Sequence, residues 1–403
     1  MTLRNRQRST SIQALTERLS LELDPSHHLA GPFLPQTPFD SAASSRHSSP
    51  VPPYRKVKQP QPSALIRWVV EPVSALRILF VPLVLFIGWE SLRPYATPGA
   101  PNPFARTFLL SGYVPGSLPE DPRYAKSYWD LAFIAYYVVF FAFVRQVSMV
   151  NICTPLARYF GIKKEAKLTR FGEQGYAVIY FAFFGAWGVR IMGQLPTSWY
   201  QTEHFWKDYP HWDMKPELKR YYLMQMAYWL HQLLVLVLGL EKPRKDFREL
   251  VAHHIVTLWL VGWSYLTNLT LIGNAVYLSM DIPDAFFAFS KCLNYIQWNR
   301  AKLVSFAVFF VMWTYFRHYL NLVILWSVWT QFDLLPVVSQ QWKPEDGVWL
   351  AGWMRYQIFT PLALLQLLNL FWYFLIVRIF VRALITAEAT DERSDDEDDG
   401  KED

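Results

Sequence analysis

Charged residues are scarce in this chain of 403 residues. Asp, Glu, Lys and Arg make up 18% of it, whereas a typical soluble domain contains about 25%. Hydrophobic residues account for 52% and aromatic residues for 17%. A high aromatic content is typical of proteins that lie partly in lipid, because Trp and Tyr gather at the membrane interfaces. The composition therefore argues against an ordinary soluble enzyme.

Three further absences narrow the class of protein. Cysteine occurs only at Cys153 and Cys292, which excludes a small scaffold held together by a disulfide framework. The long apolar stretches lack strict alternation of apolar and polar residues, which disfavours a transmembrane β-barrel. No apolar segment follows the basic start of the chain, so we expect no signal peptide. These absences leave a helical membrane protein as the favoured class.

Long apolar stretches begin after residue 64. A helix of about 20 apolar residues crosses the ~30 Å hydrocarbon core of a bilayer, and eight stretches have roughly that length. The sequence therefore predicts an all-α fold, a polytopic membrane helical bundle with about eight transmembrane helices. The predicted spans lie at 68–92, 128–150, 171–195, 221–240, 249–271, 275–297, 303–331 and 353–382.

The two ends of the chain differ from this membrane region. Residues 1–63 are rich in Ser, Pro, Gln and Arg without an apolar period, which predicts a disordered cytosolic arm. Residues 386–403 are predicted to form an acidic, disordered cytosolic tail. Two interpretations of these segments remain open. Either they carry kinase sites at Ser9, Ser11 and Ser394, or they are only solvated. Between the ends we predict a first transmembrane helix with its luminal connection (64–127) and a membrane domain (128–385).

Basic residues concentrate in every second connection between the predicted spans. Cytosolic loops of membrane proteins carry an excess of Lys and Arg, so these connections and both termini are predicted to face the cytosol. The predicted luminal connection after the third span is also basic, which weakens the pattern, and it contains Lys207, Lys215, Lys219 and Arg220. Two cytosolic connections, at 163–170 and 242–248, could also bind the phosphates of an anionic substrate.

Two consecutive predicted spans carry ionisable groups where hydrocarbon is expected. His253 and His254 lie one to two turns inside the fifth span, which Asp246 is predicted to cap. Asp281 and Asp284 lie three residues apart on the sixth span and therefore on one face. A charged side chain at the bilayer centre costs about 2.5–3.5 kcal/mol, so these groups must be paired, neutralised or exposed to a water-filled cavity. The same face of the sixth span is predicted to hold Asn274, Tyr277, Lys291 and Tyr295.

Histidine beside a carboxylate suits acyl transfer. The carboxylate can hold the imidazole in one tautomer while the other nitrogen takes a proton, or the histidine can itself attack an acyl group. A buried polar network that only locks helix packing and a metal site remain alternatives. Along straight helices His254 and Asp284 would be offset by about 10 Å, which a kink at Pro283 could shorten.

The seventh span adds a buried cation at Arg317, followed by His318. Arg317 lies too deep to reach the membrane interface comfortably. We expect it either to pair with Asp281 or Asp284 or to bind a carbonyl or phosphate group of a substrate.

The order and spacing of these motifs resemble the ceramide synthase (longevity-assurance) family within the TLC-domain superfamily. The resemblance extends over roughly residues 70–385. The chain lacks the homeobox-like insert of many animal members, so it resembles the fungal type. The stretches that carry it are His253-His254-Ile-Val-Thr257, Met280-Asp281-Ile-Pro-Asp284, Ser290-Lys291-Cys-Leu-Asn294-Tyr295, Glu241-Lys-Pro-Arg-Lys-Asp-Phe and Arg317-His318-Tyr-Leu-Asn321.

The resemblance implies an enzyme of the endoplasmic reticulum membrane. It would transfer a fatty acyl group from acyl-CoA to the amine of sphinganine or phytosphingosine and form (dihydro)ceramide, with 128–385 as the TLC-type catalytic domain. No cofactor beyond the co-substrate acyl-CoA, no metal and no nucleic acid are expected. The implied catalytic residues are His253, His254, Asp281 and Asp284, and we expect substrate contacts at Thr257, Lys291, Asn294, Tyr295, Arg317 and His318.

The expected partners are the acyl-CoA, a long-chain sphingoid base and membrane lipids. The resemblance also suggests a small single-span accessory subunit, and it leaves a homo- or hetero-oligomer open. The rival prediction is a non-catalytic lipid-binding or translocon-associated membrane protein of the same superfamily. A metal-dependent lipid oxygenase is a further rival.

Overall fold

The computed structural model describes residues 63, 66–96, 98–241 and 246–386. Within this part of the chain, eight helices of 20 residues or more form a bundle at the eight predicted positions. We label them α1 (Pro72–Ala96), α2 (Asp130–Tyr159), α3 (Glu165–Gly193), α4 (Pro216–Val237), α5 (Phe247–Leu266), α6 (Thr270–Tyr295), α7 (Asn299–Thr330) and α8 (Met354–Thr386). The predicted arm, the acidic tail, the serines Ser9, Ser11 and Ser394 and the bases at 242–245 lie outside the described residues.

Five of these helices are long and apolar enough to cross a membrane, namely α1, α2, α3, α7 and α8. The chain is therefore a multi-pass membrane protein of the all-α class. The other three, α4, α5 and α6, carry most of the polar groups discussed below, which lowers their hydropathy. That they also cross the membrane stays a prediction.

Two of the helices contain a π-helical turn. In α2 it covers Ser148–Cys153, and in α7 it covers Thr314–Leu320. Such turns often mark functional sites because the extra residue redirects the side chains that follow. The turn in α7 contains Arg317 and His318.

The remaining described elements are short and lie in the connections. They are the helical turns Arg67–Val70 and Ala105–Phe108, the 3₁₀ turns Thr202–Phe205, Phe332–Leu334, Val337–Ser339 and Pro344–Asp346, and the strands β1 (Tyr124–Ala125) and β2 (Asp213–Met214). The two strands pair antiparallel, with Tyr124 opposite Met214 and Ala125 opposite Asp213.

In the described part of the chain, the largest hydrophobic core lies between α2, α3, α4, α6, α7 and α8, and α5 contributes Val261 to it. Helix α6 is buried along most of its length and packs mainly against α3 and α7. Close approach to α4 depends on small residues, since a methyl group added at Gly273 would come within 1.9 Å of the Tyr222 hydroxyl oxygen. Burial on several sides explains why α6 tolerates polar side chains that lipid would exclude.

Lys219 corrects one detail of the predicted topology. It was counted among the bases of a luminal connection, but it lies inside α4 and is fully buried. Its Nζ is 2.8 Å from Asp130 Oδ1, and it donates hydrogen bonds to the carbonyl oxygens of Ser111 and Ala125. Because Asp130 neutralises it, Lys219 is a structural ion pair and carries no information about orientation.

Candidate active site

Helix α5 begins at Phe247, directly after Asp246, as predicted. The predicted capping hydrogen bond is wrong, however, because the Asp246 side chain makes no cap. Its Oδ2 instead accepts a hydrogen bond from Nε1 of Trp372 on α8, at 3.0 Å. Asp246 therefore ties the start of α5 to α8 and helps to set where the histidines one to two turns later lie.

His253 and His254 are both buried, although adjacent residues of a helix point about 100° apart. One aromatic side chain on α4 faces both of them. The Trp229 ring centroid lies 5.7 Å from that of His253 and 5.8 Å from that of His254, and the two imidazole centroids are 6.0 Å apart. The three rings thus form a nearly equilateral triangle.

Two further side chains contact His253. Thr257, one turn later on α5, places its hydroxyl oxygen 3.5 Å from His253 Nε2. The ring of Trp372 lies 5.5 Å from the imidazole, in an edge-to-face arrangement. Nδ1 of each histidine is buried without a hydrogen-bond partner in the described part of the chain. The imidazoles are therefore positioned chiefly by ring packing.

Arg317 pairs with Asp284, which decides between the two predicted partners. Its Nη2 is 2.7 Å from Asp284 Oδ2 and also donates to the backbone oxygen of Met280 at 3.1 Å. Its Nη1 donates to Asn369 Oδ1 on α8, at 3.0 Å. The guanidinium also lies over the Trp313 ring, 4.3 Å from its centroid. Arg317 is thus held by α6, α7 and α8 together.

Asp281 has different surroundings from Asp284. It is fully buried, and its Oδ2 accepts a hydrogen bond from the Gln225 side chain of α4. The Gln225 side-chain oxygen accepts in turn from the Tyr180 hydroxyl. Oδ1 of Asp281 has no hydrogen-bond partner among the described residues. The two carboxylates therefore share a helix face but not an environment.

A cavity of about 460 Å³ lies between α3, α4, α5, α6, α7 and α8. Its polar wall contains both histidines and the Asp284–Arg317 pair, together with Lys291, whose Nζ lies 4.3 Å from the centre of the Phe287 ring. At one end the wall includes Glu241 and Asp246, which precede α5. Both histidines and Asp284 therefore line one cavity, and Pro283 lies inside α6.

A second, smaller cavity of about 60 Å³ lies beside the first. Trp229, His253 and Arg317 line both cavities. The rest of the smaller cavity's wall is largely apolar and comes from α4, α5, α6 and α8, with Thr257 near the shared end. A small apolar cavity and a larger cavity with polar groups in its wall share a histidine, which suits a lipid with a reactive head group.

Four predicted site residues line neither cavity, namely Asp281, Asn294, Tyr295 and His318. Asn294 accepts a hydrogen bond from Lys302 at 3.2 Å, and Tyr295 packs against the cluster around Cys292. His318 Nδ1 is 2.8 Å from the Gln366 amide nitrogen. The predicted polar stripe of α6 therefore extends beyond the cavity. Residue spacing along one helix predicts which side chains share a face, but it does not show where the neighbouring helices end.

Sequence reasoning missed several side chains that position the site. Trp229 and Trp372 gave no signal, because tryptophan is common throughout this chain. Gln225 and Asn369, by contrast, are polar residues inside predicted spans and could have been picked out as partners for the buried aspartate and arginine. In the part of the chain that the structure describes, no three His, Cys, Asp or Glu side chains are grouped so that they could hold a metal ion.

Comparison with known proteins places this geometry in a family. The family model described as TLC domain matches residues 170–378, which include all the cavity-lining histidines, carboxylates and bases described above. Sphingosine N-acyltransferase lac1 of Schizosaccharomyces pombe is 40% identical over 75% of this chain and 76% of its own length. Ceramide synthase LAG1 of Saccharomyces cerevisiae is 39% identical over 70% of this chain and 67% of its own. A bovine protein, ceramide synthase 4, is 28% identical over 52% of this chain and 49% of its own length.

Proposed function

This chain belongs to the ceramide synthases of the TLC-domain family, and from that membership and the cavity we propose that it is a sphingoid base N-acyltransferase. It transfers a fatty acyl group from acyl-CoA to the amine of a long-chain base and forms a (dihydro)ceramide. The observation that carries the assignment of the active site is that His253, His254, Asp284 and Arg317 line one cavity inside an apolar bundle.

The chemistry needs a proton acceptor next to the acyl group. A thioester is already activated, so positioning and proton transfer supply most of what remains. The sphingoid amine is largely protonated at neutral pH and attacks only after losing a proton. His253 or His254 takes this proton, or else accepts the acyl group transiently before the amine does. Because both imidazoles contact Trp229, either histidine can act as the base or as the acyl acceptor.

The carboxylates divide the remaining work according to their surroundings. Asp284 faces the cavity and is paired with Arg317, so it holds the incoming ammonium group or orients the base. Asp281 does not line the cavity and accepts a hydrogen bond from Gln225, so it stabilises the site without facing the substrate. Each carboxylate thus keeps a hydrogen-bonded partner, which a buried charge requires.

The lipid tails need apolar surroundings, and the CoA moiety needs polar ones. We assign the part of the acyl or sphingoid chain next to its reactive group to the small apolar cavity that meets His253. The phosphates of the CoA would approach past Lys291, a base in the wall of the larger cavity. We propose that this end opens on the cytosolic side, with both termini cytosolic, in the endoplasmic reticulum membrane. A small single-span accessory subunit and an oligomer remain part of the same proposal.

The test is a reaction of the purified, membrane-reconstituted protein with acyl-CoA and sphinganine. We expect free CoA and the N-acyl amide to appear together in equal amounts. Binding of the sphingoid base without release of CoA would instead favour the non-catalytic lipid-binding alternative.

A further inference from the structure

We propose that the indole N–H of Trp229 is the hydrogen-bond donor to the carbonyl oxygen of the acyl group during transfer. The proposal rests on the N-acyltransferase function above and adds a catalytic residue to it. The wall of the larger cavity contains two histidines and the Asp284–Arg317 ion pair, but acyl transfer also needs a donor where negative charge develops on oxygen.

Trp229 occupies the position that such a donor requires. It is the side chain that contacts both imidazoles, with ring centroids at 5.7 and 5.8 Å. It also forms part of the wall of both cavities. An acyl group whose tail lies in the apolar cavity and whose thioester lies in the polar one must therefore pass beside this ring.

The indole nitrogen of Trp229 is a donor without an acceptor. The side chain is 7% exposed, and Nε1 has no hydrogen-bond partner among the described residues. Tryptophan can donate but cannot accept, and a buried donor that is left unpaired is unfavourable. A carbonyl oxygen of the substrate would satisfy the donor, and the hydrogen bond would strengthen as that oxygen becomes an oxyanion.

The same donor serves either chemical route. In direct transfer the ammonium group first gives one proton to histidine, which releases it to solvent. The amine nitrogen then forms a bond to the carbonyl carbon, and the C=O electron pair moves onto the oxygen, where Trp229 would donate its hydrogen bond. The nitrogen loses its second proton to histidine, the carbonyl re-forms, the C–S bond breaks, and the CoA thiolate takes that second proton. If an acyl-histidine forms first, each of the two steps passes through an oxyanion at the same oxygen. The indole proton stays on nitrogen throughout.

Trp313 is the other indole of the larger cavity whose nitrogen is buried without a partner in the described region. Its ring lies under the Arg317 guanidinium and against Phe309, and no contact with either imidazole ring is observed among the described residues. A donor there would face the Asp284–Arg317 pair. The contact with both histidines therefore singles out Trp229.

The test replaces Trp229 with Phe in the full-length, reconstituted protein. Phenylalanine keeps an aromatic ring beside the histidines and removes the donor. We expect kcat to fall about 10²–10³-fold, the range measured for loss of one oxyanion donor, with little change in the KM of either substrate. Binding of an S-alkyl-CoA thioether, which has no carbonyl oxygen, should be equal in the variant and the parent protein.

A matched control and an isosteric variant complete the experiment. Trp206→Phe removes another buried indole N–H that has no partner in the described residues, in a connection away from both cavities, and should leave kcat unchanged. If Trp229→Phe does not fold, replacing Trp229 with 3-benzothienylalanine substitutes sulfur for N–H at constant shape, and kcat should fall by a similar factor.

Parent-like kcat in either Trp229 variant would overturn the proposal, as would a loss that appears only as a raised KM. A parent protein that forms no amide would instead contradict the N-acyltransferase function itself. The two failures are therefore distinguishable.

Discussion

At His253 and His254, the surroundings decide the available chemistry more than the residue type does. Both rings are buried, contact the same tryptophan and line a cavity, whereas His231 on α4 is fully buried and lines neither cavity. A histidine acts as a base only if a substrate can reach it. This difference separates the two candidates from the other buried histidine.

Substituting either His253 or His254 by Ala should lower product formation by about 10²–10⁴-fold, because a positioned base or nucleophile contributes that much. The measurement is the rate of amide formation per folded protein. His204→Ala serves as the matched control, since this half-buried histidine lies in a 3₁₀ turn of a connection. Near-normal turnover in both single variants would contradict the assignment.

Replacing Asp284 or Asp281 by neutral asparagine should lower kcat to different extents. Asp284→Asn removes the charge that balances Arg317 in the cavity wall, whereas Asp281→Asn retains an oxygen that can accept from Gln225. We therefore expect kcat to fall at least about tenfold further in Asp284→Asn than in Asp281→Asn, since truncating a buried charge pair costs several kcal/mol. Steady-state rates of the two variants measure this, and the reverse order would refute the division of roles.

At the scale of single elements, α6 is the helix that holds the bundle and the site together. It packs against α3 and α7 and contributes Asp281 and Asp284 from one face. Its close approach to α4 at Gly273 lets Tyr222 bury its hydroxyl against Ser264. A glycine is required there by space rather than by backbone conformation.

Gly273→Ala should destabilise the protein by about 1–3 kcal/mol, the usual cost of overpacking a core. The added methyl group would meet the hydroxyl of a rigid, fully buried ring. Thermal unfolding in detergent checks this as a lowered Tm. The matched control is Gly262→Ala on α5, where no heavy atom lies within 4 Å of the added carbon. An unchanged Tm in Gly273→Ala would show that α4 and α6 can move apart to accommodate the methyl group without loss of stability.

At the scale of the whole molecule, charge is distributed unevenly. The chain has a net charge of +6 although the last sixteen residues contain ten acids and only two bases. The bases of the connection between α2 and α3 include Lys163 and Lys164, which are exposed. Topology alone accounts for such charges if this connection is cytosolic, as predicted, but they also suit the phosphates of CoA.

Reversing charge at Lys163 and Lys164 tests whether these bases attract the substrate. We expect the double Glu variant to raise the KM for acyl-CoA severalfold, more strongly at low salt, because surface attraction is screened. The KM for the sphingoid base should not change. Lys343→Glu, an exposed base in the predicted luminal connection before α8, is the matched control. An unchanged KM for acyl-CoA would leave topology as the whole reason for these charges.

The sequence by itself determined the class of fold, and it identified the histidines and aspartates to which we assign the chemistry. Apolar stretches of membrane length set the positions of eight helices, because the period and length of such stretches reflect only local geometry and the bilayer. The histidines and aspartates were identified because ionisable groups are costly in hydrocarbon and are seldom retained there without a function.

Only the tertiary structure decided which of these groups meet. It paired Arg317 with Asp284 rather than with Asp281, and it placed Asn294, Tyr295 and His318 outside both cavities. It also put Trp229 in contact with both imidazoles. Spacing along one helix defines a face, but the partner of that face comes from helices distant in the chain, whose packing and π-helical turns no local pattern encodes.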